Sequence, residues 1–441
     1  MFFNAYSQSP SEKLVGIWAG NLPISQSESI LLLLTNDNSN YLLNIPSQTE
    51  EDLQMSFKKI DEDEFELSIF DIIMSCKYEK EIIKINYKQG EYRENFDMMK
   101  ISENPSEIVR SQIKRDGDFK TKIFNIEDDH SITQVVFTTL DYNNSAPTFI
   151  LIEGSNVDEE LNAVYNDGFY GHNIMLALSN YLVANNYNTL RITSVNEKSP
   201  TPYTIDSKIK QYEKVIEFFK KEKKGNFIVL GHSEGGLITQ LISDDDRLLG
   251  KIILSSPIDS SLNSILFQTK NRIEINNSIP KEIKEGILLF YSDFFTQLKK
   301  ADLTQDLDLI SNLITQNLKD YKYYNLSEHN YNVVLEEALR EFITPIYLNM
   351  FKKDNKLNKM DIVKPTLYVY GDRDYLVDSK ANIKYLQTIN NKNIYIKEFK
   401  STSHQLQKCE ICTLDESVFL KETVNEDILN YLLVWIKNLN K

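Results

Sequence analysis

The sequence predicts an α/β protein: a doubly wound, mostly parallel sheet with an inserted helical cap, preceded by a small antiparallel β domain. Three observations predict it. Residues 1–100 carry strand-like runs and no helix-length pattern. Strands and amphipathic helices alternate over 101–256 and again over 361–441. Between those stretches, 257–360 hold several helical patterns and no strand. Alternating βαβ units bury both faces of a parallel sheet, and a helical interruption between its strands reads as a cap or lid.

In the N-terminal domain, Phe65-Glu66-Leu67-Ser68-Ile69 and Ile83-Lys84-Ile85-Asn86-Tyr87 alternate with period two, and Ile30 to Leu34 is a buried-strand run. Such alternation fits a sandwich or a barrel with one wet face. Strand candidates follow around Ile108, at Phe119–Ile126 and at Thr133–Thr139. The α/β part then reads in order: strand Thr148–Ile152, helix Met175–Ala184, strand Thr189–Thr193, helix Ile205–Lys221, strand Phe227–Leu230, a helix from Ser233 to about Ser243, and strand Lys251–Leu254. In the cap the helical patterns are Lys281–Leu298, Leu307–Leu318 and Tyr331–Met350. The core resumes with strand Thr366–Tyr370, a helix over Lys380–Ile389, strand Asn393–Phe399 and a last helix over Asp427–Asn438.

The chain is glycine-poor: 14 in 441 is about 3%, against ~7% on average. Gly231-His232-Ser233-Glu234-Gly235-Gly236 therefore stands out. It follows a strand and opens a helix, the context in which G-x-S-x-G presents a serine on a strained turn. A serine needs a base held by an acid, in the chain order Ser, Asp or Glu, His. Two histidines follow Ser233. His329 lies in a polar cap segment, and His404 lies just past strand Asn393–Phe399, so His404 is the candidate base. The acid should end the preceding strand. Asp374 in Tyr370-Gly371-Asp372-Arg373-Asp374 is preferred over Asp372, which is expected to pair with Arg373 or face water, and over Asp259. An oxyanion hole requires two backbone N–H groups: one from Glu234, the other from Ser155 (or Asn156) after strand Thr148–Ile152. Gly154, Gly231, Gly235, Gly236 and Gly371 all fall at the edge of this one candidate site.

Charge excludes other classes. Lys+Arg 49 against Asp+Glu 64 gives −15, the wrong sign for gripping phosphate backbones or anionic lipid. No apolar run approaches the ~18 residues of a membrane span. The expected partner is a small molecule, with no nucleic acid and no membrane span, and homodimerisation through the N-terminal domain stays open. Three cysteines make no disulfide framework. Cys76 reads as a buried small hydrophobe, and the C-x-x-C of Cys409 and Cys412 as ordinary thiols ahead of a disulfide or a metal site, since no second pair supplies four ligands. No metal and no organic cofactor is expected. Met1 to Gln8 resembles the tail of a signal peptide, with a small-x-small site at Ala5 to Ser7. The compartment is cytoplasmic if the given start is the true one, and exported if that stretch is a remnant.

These residues resemble the α/β-hydrolase superfamily, and more narrowly the bacterial carboxylesterases of the esterase D type. The similarity covers most of the chain: Val15-Gly16-Ile17-Trp18-Ala19-Gly20 at the N-terminal opening, Leu151 to Ser155 with Asp158, Gly171 and His172 in the oxyanion segment, the elbow itself, Gln268 in the early cap, and His404 with Gln405-Leu406-Gln407. The resemblance implies hydrolysis of carboxylic esters, mostly of short acyl chains, by a Ser233-Asp374-His404 triad without metal or organic cofactor. It implies that the N-terminal domain is β and that His172 packs near the oxyanion loop. The chain departs from the family at Gly154-Ser155-Asn156-Val157, where relatives carry Gly-Ser-Gly-Pro, and at Ser194 to Ser199, where they carry an acidic-arginine-glycine turn. Peptidase, thioesterase or acyltransferase chemistry on the same residues is the alternative among enzymes. A non-catalytic binding protein that keeps the elbow as scaffold is the alternative from another class.

Overall fold

The computed structural model describes residues 12–24, 29–45, 50–106, 108, 110–113, 118–127, 131–154, 171–197, 204–222, 225–275, 279–357, 362–412 and 414–439. Ser155, Asn156, Asp158 and the Met1–Gln8 stretch lie outside the described residues. Two compact units divide the chain.

The first comprises Met1–Lys114, Gly168–His172 and Leu414–Lys421, among the described residues. Eight strands form a closed barrel: β1 (Gly16–Pro23), β2 (Ser29–Asn36), β3 (Tyr41–Ile45), β4 (Glu50–Lys59), β5 (Glu64–Ile69), β6 (Ile72–Glu79), β7 (Ile82–Gln89) and β8 (Tyr92–Ser102). Each strand pairs antiparallel with the next, and β1 closes on β8 through Ile17↔Ser102, Trp18↔Lys100 and Ala19↔Met99. Closure removes the exposed edges that an open sheet would offer. The period-two pattern explains the filling: Phe65 and Leu67, Met74 and Cys76, Ile83, Ile85 and Tyr87 all point inward and are buried, while the residues between them face out. Tyr41 stacks on Phe57 at 5.1 Å and on Phe65 at 5.9 Å. Of the sandwich and the barrel that the sequence allows, the chain forms the barrel.

Leu414–Lys421 packs within this unit. Val418, fully buried, joins a cluster with Ala19 and Leu31. Arg110 Nη2 donates to the Val418 carbonyl at 2.7 Å, and His172 Nε2 donates to the Ser417 carbonyl at 2.9 Å. His172 therefore packs here against Ser417, a placement the sequence did not indicate. Burial, with the charge of Arg110 second, pushes its ring down to about 4. Ile108, where a strand was expected, lies in none; its carbonyl lies against Gly171, a contact that needs chain from far along the sequence.

The second unit comprises Arg115–Asp167, Asn173–Thr413 and Glu422–Lys441, among the described residues. Its sheet holds β9 (Lys120–Glu127), β10 (Ser131–Thr139), β11 (Thr148–Ile152), β12 (Asn188–Glu197), β13 (Phe227–His232), β14 (Leu248–Leu254), β15 (Thr366–Gly371) and β16 (Ile394–Phe399). The spatial order is β9-β10-β12-β11-β13-β14-β15-β16. β10 runs antiparallel to both its neighbours, and all other pairs are parallel. β11, β13 and β15 are buried along their whole length, as strands covered on both faces must be.

The connecting helices are α1 (Ile174–Ala184), α2 (Ile205–Glu222) and α3 (Glu234–Leu241). α1 starts at Asn173, whose side chain accepts from the Leu176 N–H as an N-cap. The cap holds α4 (Ser261–Ile275), α5 (Lys281–Lys300), α6 (Leu307–Asn317), α7 (Glu328–Phe342) and α8 (Pro345–Leu357), followed later by α9 (Ser379–Thr388) and α10 (Glu426–Leu439). The one helix expected over Tyr331–Met350 is two, because Pro345 has no N–H to continue the ladder and disfavours helix at the residue before it. α4, which the sequence reading missed, mixes polar and apolar residues along its length, and its two serines, Ser261 and Ser264, are buried. Phe290, Phe294, Phe295, Tyr324 and Phe342 form the cap's own core.

Candidate active site

The site is built on the central strand. β13 delivers the chain to Ser233, and α3 begins at the next residue. Ser233 sits at φ 54°, ψ −122°, a region that costs a non-glycine residue about 1–3 kcal/mol. Its surroundings impose the conformation. The Ser233 N–H donates to the Leu254 carbonyl of β14 at 2.9 Å, and the Ser233 carbonyl accepts from the Gly236 N–H at 2.9 Å. A side chain at Gly235 would stand 2.3 Å from the carbonyl oxygens of Ile152 and Glu153, so only glycine lets the helix start so close to β11. Gly154 lies against the serine, where a Cβ would be 3.2 Å from Ser233 Cβ.

Asp374 and His404 follow the last two strands of the sheet, β15 and β16, with β14 between these and the serine's strand. β15 ends at Gly371, and a turn brings the Asp374 carboxylate inward. Its Oδ1 accepts from the N–H groups of Leu376 (2.9 Å) and Val377 (2.8 Å), and its side chain is fully buried. His404 stands in a tight loop after β16. In that loop Ser401 and Leu406 adopt left-handed φ of 50° and 64°, Thr402 bridges Lys408, and the Ser403 N–H donates to the Gln407 carbonyl at 3.0 Å. The loop is tied to the acid's turn by Arg373 N–H to the Thr402 carbonyl (3.1 Å), and to the start of α10 by Asn425 N–H to the Leu406 carbonyl (2.8 Å).

The side chains meet in one hydrogen-bonded line. His404 Nδ1 is 2.9 and 3.0 Å from the two Asp374 oxygens, and His404 Nε2 is 3.1 Å from Ser233 Oγ. A buried carboxylate accepts, so Nδ1 carries the proton and Nε2 presents its lone pair to the serine hydroxyl. The structure thus brings together Ser233, Asp374 and His404. It separates the other acids. Asp372 pairs with Lys400 at 3.4 Å rather than with Arg373, and Asp259 accepts from Asn263 at 3.2 Å. His329 is exposed at the start of α7. Glu234 opens α3, where the helix dipole favours negative charge.

Two features escaped the sequence reading. His232 buries its ring beside His404, with Nε2 2.8 Å from the His404 carbonyl oxygen. Cys409 and Cys412, read as thiols, are joined in a disulfide, so neither sulfur is available to a metal. The loop that shapes the base also brings these two sulfurs together, and that loop is not visible from spacing alone. The cap reaches the site's scaffold: Met350 of α8 packs with Leu237 and Leu241 of α3, and Asn271 of α4 donates to the Tyr375 carbonyl at 2.8 Å.

A mixed sheet with one reversed strand near its edge, a strand–serine–helix elbow at its centre, and an acid and a histidine after its last two strands define an α/β-hydrolase fold. Among solved structures, the chain is similar to a proline iminopeptidase of Mycobacterium smegmatis (14% identity, 72% of this chain and 98% of that one, TM-score 0.42). It is likewise similar to a thermophilic esterase of Thermogutta terrifontis (11%, 73% and 100%, 0.39) and to a thioesterase domain from the curacin biosynthetic pathway (13%, 68% and 99%, 0.36). No family model matches the chain, and no curated protein matches it.

Proposed function

We propose that the protein is a serine hydrolase of carboxylic esters, acting through an acyl-enzyme on Ser233 and favouring short acyl chains. The observation that carries this reading is the Ser233–His404–Asp374 line, with the serine on a strained turn at a helix N-terminus. His404 Nε2 takes the hydroxyl proton as Ser233 Oγ attacks the ester carbonyl. Asp374 keeps the Nδ1–H tautomer and stabilises the imidazolium. The imidazolium then protonates the departing alkoxide. Water, deprotonated by the same nitrogen, releases the acid and restores the serine. The Glu234 and Ser155 amides are assigned to the oxyanion, each worth about 3 kcal/mol in comparable sites.

The test is a fluorophosphonate probe with peptide mapping, alongside turnover of an ester, an anilide and a thioester bearing the same acyl group. The expected result is an adduct on Ser233, absent in Ser233→Ala, with the ester turned over fastest. No adduct on Ser233 sinks the hydrolase reading. An adduct with faster anilide or thioester turnover moves the substrate class to peptides or thioesters.

A further inference from the structure

We propose that His232 is a positioning residue that fixes the base against the nucleophile by donating its ring N–H to the backbone of His404. The inference rests on the serine hydrolase reading above and adds a residue that the Ser–His–Asp line does not contain.

His232 is the last residue of β13 and the covalent neighbour of Ser233. Its Nε2 lies 2.8 Å from the His404 carbonyl oxygen. A carbonyl only accepts, so this nitrogen carries a proton. Two consecutive residues of the elbow therefore hold one residue of the base loop: His232 holds its backbone and Ser233 holds its side chain. The loop's other bonds described above run to the acid's turn and to Asn425. Those bonds fix His404 relative to Asp374. The bond from His232 fixes it relative to the elbow, which is the distance that proton transfer needs.

The ring's electrostatics suit this task. His232 is buried, and desolvation, with His404 second, pushes it down to about 3. It is neutral at any ordinary working pH, with its proton on Nε2. The two imidazoles stand 5.0 Å apart between ring centroids. A cation so near would oppose the imidazolium that His404 must become, whereas a neutral ring supplies the hydrogen bond without that repulsion. A leucine or phenylalanine would fill the space but leave the His404 carbonyl without this donor.

The experiment compares the intact wild-type chain with His232→Phe and His232→Gln. Phenylalanine keeps the bulk and removes the donor; glutamine places an N–H near the former Nε2. Readouts are kcat and KM for p-nitrophenyl acetate, the rate of fluorophosphonate labelling, and the low-field Nδ1 proton resonance of His404 in nitrogen-15-labelled protein. A misplacement of about 1 Å costs on the order of a hundredfold, so His232→Phe should lower kcat about that much with KM changed less than about threefold. His232→Gln should recover at least about tenfold of that loss, and labelling should fall in parallel with kcat. Wild-type kcat in His232→Phe overturns the proposal, as does an equal loss in both variants when both melt like the wild type. If His232→Phe does not fold, His232→Gln decides: near-wild-type kcat supports the donor role, and a full loss overturns it. If the wild type itself neither labels nor turns over, the hydrolase reading has failed. The Nδ1 proton resonance then decides separately, since displacement in His232→Phe supports the positioning role and an unchanged signal removes it.

Discussion

Replacing Asp374 by asparagine separates the electrostatic role of this carboxylate from its structural one. Oδ1 accepts two backbone N–H groups, from Leu376 and Val377. In Asp374→Asn those two donors fix the amide's orientation: its oxygen must face them, and its NH2 must face His404 Nδ1. An NH2 only donates, and it takes the place of the nearer oxygen, 2.9 Å from Nδ1, while Oδ1 at 3.0 Å is already shared with two N–H groups; this favours the other tautomer, with the proton on Nε2 pointing at Ser233 Oγ. The base is then lost while the turn survives. Comparable triads lose about 10⁴ in kcat by this change, which at 1.36 kcal/mol per decade is about 5 kcal/mol of transition-state stabilisation. Stability should fall by less than about 1 kcal/mol, since both turn bonds remain. Asp374→Ala removes the acceptor from two buried amides and from His404, and should cost roughly 3 kcal/mol of stability as well. The assay is kcat for p-nitrophenyl acetate with a thermal melt of each variant, and Asp372→Asn as the control. Asp372 pairs with a largely exposed Lys400, so that variant should stay within about threefold of the wild type. An Asp374→Asn enzyme within tenfold of wild type, or an Asp372→Asn enzyme slower than it, would refute the assignment of the acid.

His172 predicts acid sensitivity in the first unit. Its folded pKa is depressed to about 4 from 6.5, so between those values the unfolded chain binds the extra proton and stability falls as pH falls. From pH 7 to 5 the loss should be about 2 kcal/mol by denaturant titration, and His172→Gln should abolish that part of the slope; an unchanged slope counts against the buried neutral ring. Thiol titration of the denatured, unreduced chain should find one thiol, Cys76, and three after reduction. Finding three at the outset contradicts the Cys409–Cys412 bond. Reduction should lower stability by about 2 kcal/mol, the chain-entropy value for so short a loop.

What was legible in the sequence was local. The Gly231–Gly236 elbow announces itself because glycine is scarce and because its strand and helix are adjacent in the chain. The barrel strands announce themselves by alternation. Barrel closure was not legible, since β1 meets β8 across some eighty residues and a ladder leaves no mark in either strand alone. The break at Pro345 could have been read from the proline; the apolar spacing on both sides obscured it. The choice of Asp374 over Asp372 rested on the direction of a turn, whereas the geometry that distinguishes them is two backbone amides. The partner of His232 was not legible, because the carbonyl it meets lies 172 residues away.

The barrel unit is assembled from three stretches of chain, and that sets an order of events. During synthesis all eight strands are available before residue 114, yet Val418, the cover for Ala19 and Leu31, arrives about three hundred residues later. Only then does the side chain of Arg110 meet the Val418 carbonyl. The N-terminal part is thus first to be made and among the last to be finished. A fragment cut after residue 114 leaves an apolar spot open on the barrel, and a chain begun after residue 102 carries Val418 exposed on a strap with nothing to cover. Chain ends for any dissection of this protein should follow those three stretches, with the strap kept beside the barrel by a short linker.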